Sequence, residues 1–243
     1  APVKADLISA ADLTKKLSSH QGEIALAFEL SGESVEEKLV RYAVALSATD
    51  VYLVEGTTMG DWATDSAVGK IVYDGKSLAR LNGLTGVVFD IDLAAYLVNP
   101  GVRASSIADV ADKWGSPLDT SSSENLLAST AATLFLLKKN LETELAERGL
   151  SDLFIKLELP VADLLALMES RGVAVDHKEL KRLLDLFESE VAEETAKAHA
   201  AVGHEFNVAS PKQLQVVLFE ELGLPKTKKI KTGFTTDAEI GRA

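Results

Sequence analysis

Four lysines fall within six positions near the C-terminus: Lys226, Lys228, Lys229 and Lys231 in PKTKKIKTGFTTD. Ammonium groups at that density attract phosphate oxygens without regard to base sequence. The neighbouring hydroxyls of Thr227, Thr232, Thr235 and Thr236 are of the type that adds directed hydrogen bonds to a nucleic-acid backbone. The chain as a whole is acidic, with 25 Lys and Arg against 37 Asp and Glu and a formal net charge of -12. From Phe206 onward the balance reverses, to six basic residues and four acidic ones. An acidic body repels polyanions, so a nucleic-acid contact is expected in this tail and not elsewhere.

Carboxylates are the second chemistry to consider, because several of them held together can bind divalent ions. Glu29 stands on a predicted strand, Asp74 follows another, and Asp90 and Asp92 sit in FDIDL. The plain account of Asp90 is the N-cap of a helix that follows a strand. Glu158, Asp163 and Glu169 lie on a leucine-rich helix and read as its solvated face. Other candidates fail on spacing. His20, His177, His199 and His204 have no metal-ligand pattern, and the absence of cysteine excludes disulfides, thiolate metal sites and a cysteine nucleophile. AVGK lacks the rest of a phosphate-binding loop, no G-x-G-x-x-G occurs, and Trp62 and Trp114 read as packing residues.

The elements that must position these groups divide into two regimes. Over the first 100 residues, β-rich runs at 23–30, 38–47, 50–56, 69–75 and 86–90 are bounded by Gly, Ser or Asp, with helical patterns at 6–18, 76–83 and 90–98. Strands alternating with helices predict an α/β fold, a sheet with covered faces. Beyond about residue 105 only helices are expected, at 105–114, 123–148, 152–171, 177–202 and 211–222. Asp176 with Glu179, and Ser210 with Pro211 and Gln213, form capping boxes, while Gly203 and Gly223 are stops. Thr236 and Glu239 form a third box four residues before the end. With Ala rather than Met at position 1, this reads as a piece of a longer protein.

The run FIKLELPVADLLALMESRGVAVDHKEL, followed by GHEFNVASPKQLQVVLFEELGLPKTKKIKTGFTTDAE, resembles the start of the polymerase domain, the thumb, of the family A DNA polymerases of bacteria, over about residues 153–240. The segment before it, with VVFDIDLAAYLVNPG and ATLFLLKKNLETEL, resembles the 3′-5′ exonuclease domain of the same family. The resemblance implies a ribonuclease H-like mixed sheet over 1–152, then an all-helical partial thumb over 153–243. It also implies DNA-directed DNA synthesis in replication and repair for the parent enzyme, with Mg²⁺ as its cofactor, a monomeric state, and a place in the bacterial cytoplasm beside the nucleoid.

Such exonucleases hold two divalent ions with carboxylates from an Asp-x-Glu strand motif, a middle Asp and a late Tyr-x-x-x-Asp. By the resemblance these positions carry Glu29 and Ser31, Leu78, and Asn125 and Ser129. One carboxylate of four remains, too few for two Mg²⁺ ions. The expectation is an inactive domain with no metal site, of the degenerate kind found in the actinobacterial branch of the family. For the thumb, the resemblance carries duplex-DNA contacts onto Asn207, Ser210, Lys212, Gln213, Lys226, Thr227, Lys231, Thr232, Thr235 and Thr236; charge alone adds Lys228 and Lys229. Ile230 and Phe234 are read as packing. Neither the paired aspartates of a polymerase palm nor the Lys/Arg/Tyr helix of its fingers is found in this sequence, so the piece alone is expected to catalyse nothing. Two alternatives stand beside this reading: an active metal-dependent 3′-5′ exonuclease, and a non-catalytic protein-interaction scaffold. With 47% hydrophobic residues but no apolar stretch near the roughly 20 residues that span a bilayer, no membrane segment is expected.

Overall fold

A computed structural model describes residues 3–32, 37–101, 106–115, 117–226, 229–230 and 233–236, with backbone alone at 229–230. The chain divides into two compact units, Ala1–Gly172 and Val173–Ala243.

The first unit is built on a six-stranded mixed sheet in the order β1-β4-β3-β2-β5-β6. Its strands are β1 (Ala5–Leu7), β2 (Ile24–Ser31), β3 (Lys38–Ala45), β4 (Val51–Glu55), β5 (Lys70–Val72) and β6 (Val87–Asp90). Strands β2, β3 and β4 pair antiparallel as a meander, and β5 and β6 add in parallel beyond β2. The five strands expected from the sequence are all present. β1 is an addition: ADL is too short to show alternation, yet it pairs parallel with β4 at the sheet edge. The helix expected from residue 6 instead begins at Ala10, where the Ser9 side chain accepts the Asp12 N–H.

Both faces of the sheet are covered, because side chains alternate between two cores. On one face Ala25 and Ala27 of β2 and Ala43 and Ala45 of β3 form a small-residue floor. On that floor lies α5 (Ser123–Glu147), which buries Leu127, Ala128, Ala131, Leu134 and Leu137. Helices α3 (Ile91–Val98) and α4 (Ile107–Trp114) complete this layer. On the other face Ile24, Leu26, Tyr42, Val44 and Tyr52 pack with Leu13 and Leu17 of α1 (Ala10–Leu17) and with Leu78 of α2 (Gly75–Asn82). Trp62 is buried in this second core, in keeping with a packing role.

The unit closes with a helical run that changes pitch. After α6 (Ser151–Leu153), a π-helical turn covers Phe154–Glu158 and the Leu159 N–H bonds to the Phe154 carbonyl. Pro160 follows at once. Its missing N–H and its ring cannot be accommodated inside a regular helix, and the wider turn is the local solution. Helix α7 (Leu159–Arg171) then packs on α2, where Glu169 pairs with Lys76 at 2.6 Å and lies 3.6 Å from Arg80. Glu169 is exposed, as a solvated face requires, and it also ties the two helices together.

The second unit contains α8 (His177–Val202), α9 (Pro211–Val216) with a π-helical turn Val217–Glu221, and a short hairpin of β7 (Lys229–Ile230) with β8 (Gly233–Phe234). The expected caps are in place: Asp176 accepts the Lys178 and Glu179 N–H groups, and Ser210 accepts that of Gln213. Gly203 ends α8 in the left-handed conformation. Among the described residues, no helix is long and apolar enough to cross a membrane.

Candidate functional site

In the first unit the candidate positions meet where the C-terminal end of β2 approaches the start of α5. A β-bulge between Glu29 and Leu30 breaks the β2–β3 register at this point, a device that re-aims side chains at a sheet edge. Beside it lies a pocket of about 430 Å³ lined by Phe28, Glu29, Tyr73, Asp74, Leu126 and Thr130, among others. Its walls are mainly apolar side chains.

The carboxylate at this pocket is already engaged. Arg41, directly across the ladder on β3, places Nε 2.6 Å from Glu29 Oε2. The same guanidinium reaches Glu55 of β4 at 3.2 Å, Glu124 of α5 at 3.1 Å and the Ser123 hydroxyl at 2.7 Å. Three carboxylates and a hydroxyl thus share one cation, and the arginine is held charged well above its ordinary range by the Glu29 bond first and the other pairs after it. An ion pair that joins three strands to the first turn of a helix fixes the geometry of the pocket wall.

The other aligned positions bear no free carboxylate. The Asn125 side chain donates to the Ser121 hydroxyl at 2.9 Å, and the Ser129 hydroxyl donates to the Leu126 carbonyl while accepting the Asp119 N–H, both at 3.1 Å. Ser31 is exposed at the end of β2. Leu78 does not join this group: it is fully buried in the second core, and the residues just before it that line the pocket are Tyr73 and Asp74. Asp74 has φ 58, and its carboxylate accepts the Ser77 hydroxyl at 2.6 Å and the Ser77 N–H at 3.3 Å.

Asp90 caps α3 as its sequence context predicts. It is buried, and its carboxylate accepts the N–H groups of Gly75 at 2.8 Å, Asp92 at 3.0 Å and Leu93 at 3.5 Å. Burial pushes it up to about 7, while the Gly75 N–H pulls the other way. A smaller pocket of about 160 Å³ brings Asp74, Asp90 and Asp92 near Glu158.

The donors present do not fit a pair of divalent ions. Glu29 is paired with Arg41, the Asp74 carboxylate accepts the Ser77 N–H and hydroxyl, and the Asp90 carboxylate accepts three N–H groups. Among the described residues, no three His, Cys, Asp or Glu side chains are placed to hold a metal together.

The second unit positions the basic segment from α9. Lys212 is exposed on its first turn. Gln213 and Asn207, both aligned with DNA contacts, bond instead to the loop between them: Gln213 Oε1 accepts the Asn207 N–H at 2.7 Å, and Asn207 Oδ1 accepts the Ala209 N–H at 3.0 Å. The Ser210 hydroxyl serves as the helix cap. Lys226 is exposed, and its Nζ lies 5.2 Å from the centre of the Phe234 ring. Phe234 in turn meets Phe219 edge-on at 5.7 Å, so its packing role is plain. Thr235 and Thr236 follow, half-buried. Lys229 takes part through backbone pairing with Phe234. Thr227, Lys228, Lys231 and Thr232 lie outside the described residues.

His199 and His204 fasten loops, a role that spacing alone does not show. His199 Nε2 lies 2.8 Å from the Phe206 carbonyl oxygen, and the two rings meet at 5.3 Å. His204 Nε2 lies 2.7 Å from Glu221 Oε2, and that bond raises the imidazole above its ordinary value. Two residues, one in each unit, give no signal in the sequence. Arg41 carries no motif, and Gln215, whose Oε1 accepts the Phe234 N–H at 3.0 Å, differs from Gln213 in nothing that spacing reveals.

With this geometry in hand, comparison with known proteins is direct. Residues 177–241 match the family described as DNA polymerase family A. The chain is 33% identical over 244 residues to DNA polymerase I of Bacillus subtilis, covering 89% of this chain and 28% of that protein. It is 36% identical over 230 residues to DNA polymerase I of Mycobacterium tuberculosis, covering 81% of this chain and 25% of that one. A solved structure described as the POL domain of Pol1 from M. smegmatis, in complex with DNA primer-template and dNTP, superposes with a TM-score of 0.80 at 30% identity. It covers 98% of this chain and 44% of its own. The chain thus spans 28% or less of the full length of these two curated relatives.

Proposed function

We infer, for a chain homologous to bacterial DNA polymerase I and carrying a family A DNA polymerase segment, that it supplies two parts of such an enzyme. Residues 1–152 are an exonuclease-like domain of ribonuclease H-like fold that no longer cuts DNA. Residues 153–243 begin the thumb, which grips the backbone of duplex DNA. The parent is then a DNA-directed DNA polymerase of replication and repair, working with Mg²⁺ in the bacterial cytoplasm beside the nucleoid, as a monomer.

The observation that carries the first half is the Glu29–Arg41 pair. Phosphodiester hydrolysis by two metal ions needs several anionic oxygens turned toward the scissile phosphate. Here the carboxylate of the first motif faces a guanidinium, and the aligned positions beyond it present a hydroxyl, an amide and a buried leucine. These residues can hold strands and helix together but cannot cradle two cations. Single-stranded DNA incubated with the chain and Mg²⁺ or Mn²⁺ should remain intact. Degradation that disappears in Glu29→Ala would overturn this half.

The second half is supported by the frame of the basic segment. Lys212 opens a capped helix and Lys226 follows its end. The aromatic and amide contacts of Phe234 fasten the hairpin that carries Lys229. Lysines at such a tip supply sequence-independent attraction to phosphate, which the acidic remainder does not. Helix α8 leaves Leu180, Leu184, Phe187 and Val191 exposed in a helical stripe, which supports its being one part of a larger assembly.

A further inference from the structure

We propose that Gln215 is a positioning residue for the DNA-gripping segment, a side chain that sets the basic hairpin against α9 through a directed hydrogen bond. The proposal rests on the thumb reading above and adds to it a residue that touches no DNA.

Two glutamines on α9 perform parallel tasks on opposite sides. Residues two apart on a helix point in different directions. Gln213 takes the Asn207 N–H of the preceding loop, and Gln215 takes the Phe234 N–H of the following hairpin. Phe234 is the residue paired with Lys229 across β7 and β8, and its ring carries the Lys226 ammonium. One amide oxygen therefore fixes the backbone position from which two of the lysines are set.

The neighbouring residue shows how close this approach is. A Cβ built at Gly233 would fall 2.1 Å from Gln215 Oε1, and Gly233 has φ 138. Only glycine admits both the backbone conformation and the amide beside it. The ring of Phe234 packs on Phe219, but an edge-on aromatic contact tolerates sliding that a directed hydrogen bond does not. Gln215 thus supplies direction where Phe219 supplies adhesion.

The test compares Gln215→Leu, which keeps the bulk and loses the acceptor, with Gln215→Glu, which keeps an acceptor oxygen, in the full 243-residue chain. Three quantities are read: amide exchange at Phe234, the thermal unfolding midpoint, and Kd for a short blunt DNA duplex. Gln215→Leu should speed Phe234 exchange and raise Kd about 3- to 10-fold, the range set by one lost hydrogen bond, with the midpoint essentially unchanged. Gln215→Glu should retain Phe234 protection. The variant with Lys226, Lys228, Lys229 and Lys231 all changed to Ala is the control. If it loses binding while Gln215→Leu keeps wild-type Kd, the positioning role is wrong and the thumb reading survives. If it binds as wild type does, the thumb reading falls and this proposal with it. Faster Phe234 exchange in Gln215→Glu would also overturn the assignment.

Discussion

Arg41 and Glu29 face each other across the β2–β3 ladder with 2.6 Å between Nε and Oε2. The guanidinium engages one oxygen of this carboxylate. It also joins Glu55 and Glu124, whose charges would otherwise repel one another. Arg41→Met should therefore destabilise the first unit by about 1–2 kcal/mol, more than an isolated surface pair and less than a fully buried one. Urea unfolding measures this. Glu29→Gln should cost less, because the remaining carboxylates still satisfy Arg41. If Arg41→Met unfolds at the wild-type midpoint, the four-group network contributes nothing to stability. Neither variant should gain nuclease activity in Mg²⁺.

Asp90 gives a pH dependence of defined sign. Its folded value, about 7, lies above the unfolded value of about 3.9. Between those limits the fold keeps a proton that the unfolded chain has released. The contribution of Asp90 to stability is thus largest in acid and declines as pH rises toward 7. Asp90→Asn cannot ionise. Measured by urea unfolding at about pH 5 and about pH 8, wild type should lose ground relative to Asp90→Asn at the higher pH. Equal pH dependence in the two proteins would mean that the three N–H groups offset burial completely.

His204 moves in the same sense. Its bond to Glu221 raises the imidazole above the ordinary value of 6.5. The stabilising contribution of that pair is complete below the unfolded value and fades as pH rises through the folded one. An NMR titration of the ring should give a midpoint above the ordinary value, and Glu221→Gln should move it back toward that value. A wild-type midpoint already at the ordinary value would show that the pair does not persist in solution.

The strands from β2 to β6 and the helices from α2 onward were legible because each combines periodic apolar residues with a cap or a glycine stop, as at Asp176 and Gly203. β1 was not, since three residues carry no period and the strand exists only through its pairing with β4. The π-helical turn before Pro160 was hidden for a related reason: the proline signals a break, and only the surrounding packing turns it into a wider coil. For the sites, residue type revealed which carboxylates are missing. It could not reveal Arg41, whose partners come from β2, β4 and α5, up to 83 positions away. Nor could it separate Gln213 from Gln215, which differ only in the side of α9 they occupy. The middle-motif alignment at Leu78 shows the same limit, because Tyr73 and Asp74, just before it, are the residues that reach the pocket.

A grip on duplex phosphates that does not read sequence is the core of the role proposed for the basic segment. The most direct test is the affinity of the chain for two unrelated DNA duplexes, measured by fluorescence anisotropy over a range of salt concentrations. Such a grip predicts equal affinity for the two sequences and a log-log salt slope of magnitude up to about 4, set by four lysines each displacing close to one counterion. It also predicts loss of most of the binding when Lys226, Lys228, Lys229 and Lys231 are changed to Ala. Binding that ignores salt, or that survives those four substitutions unchanged, would contradict it.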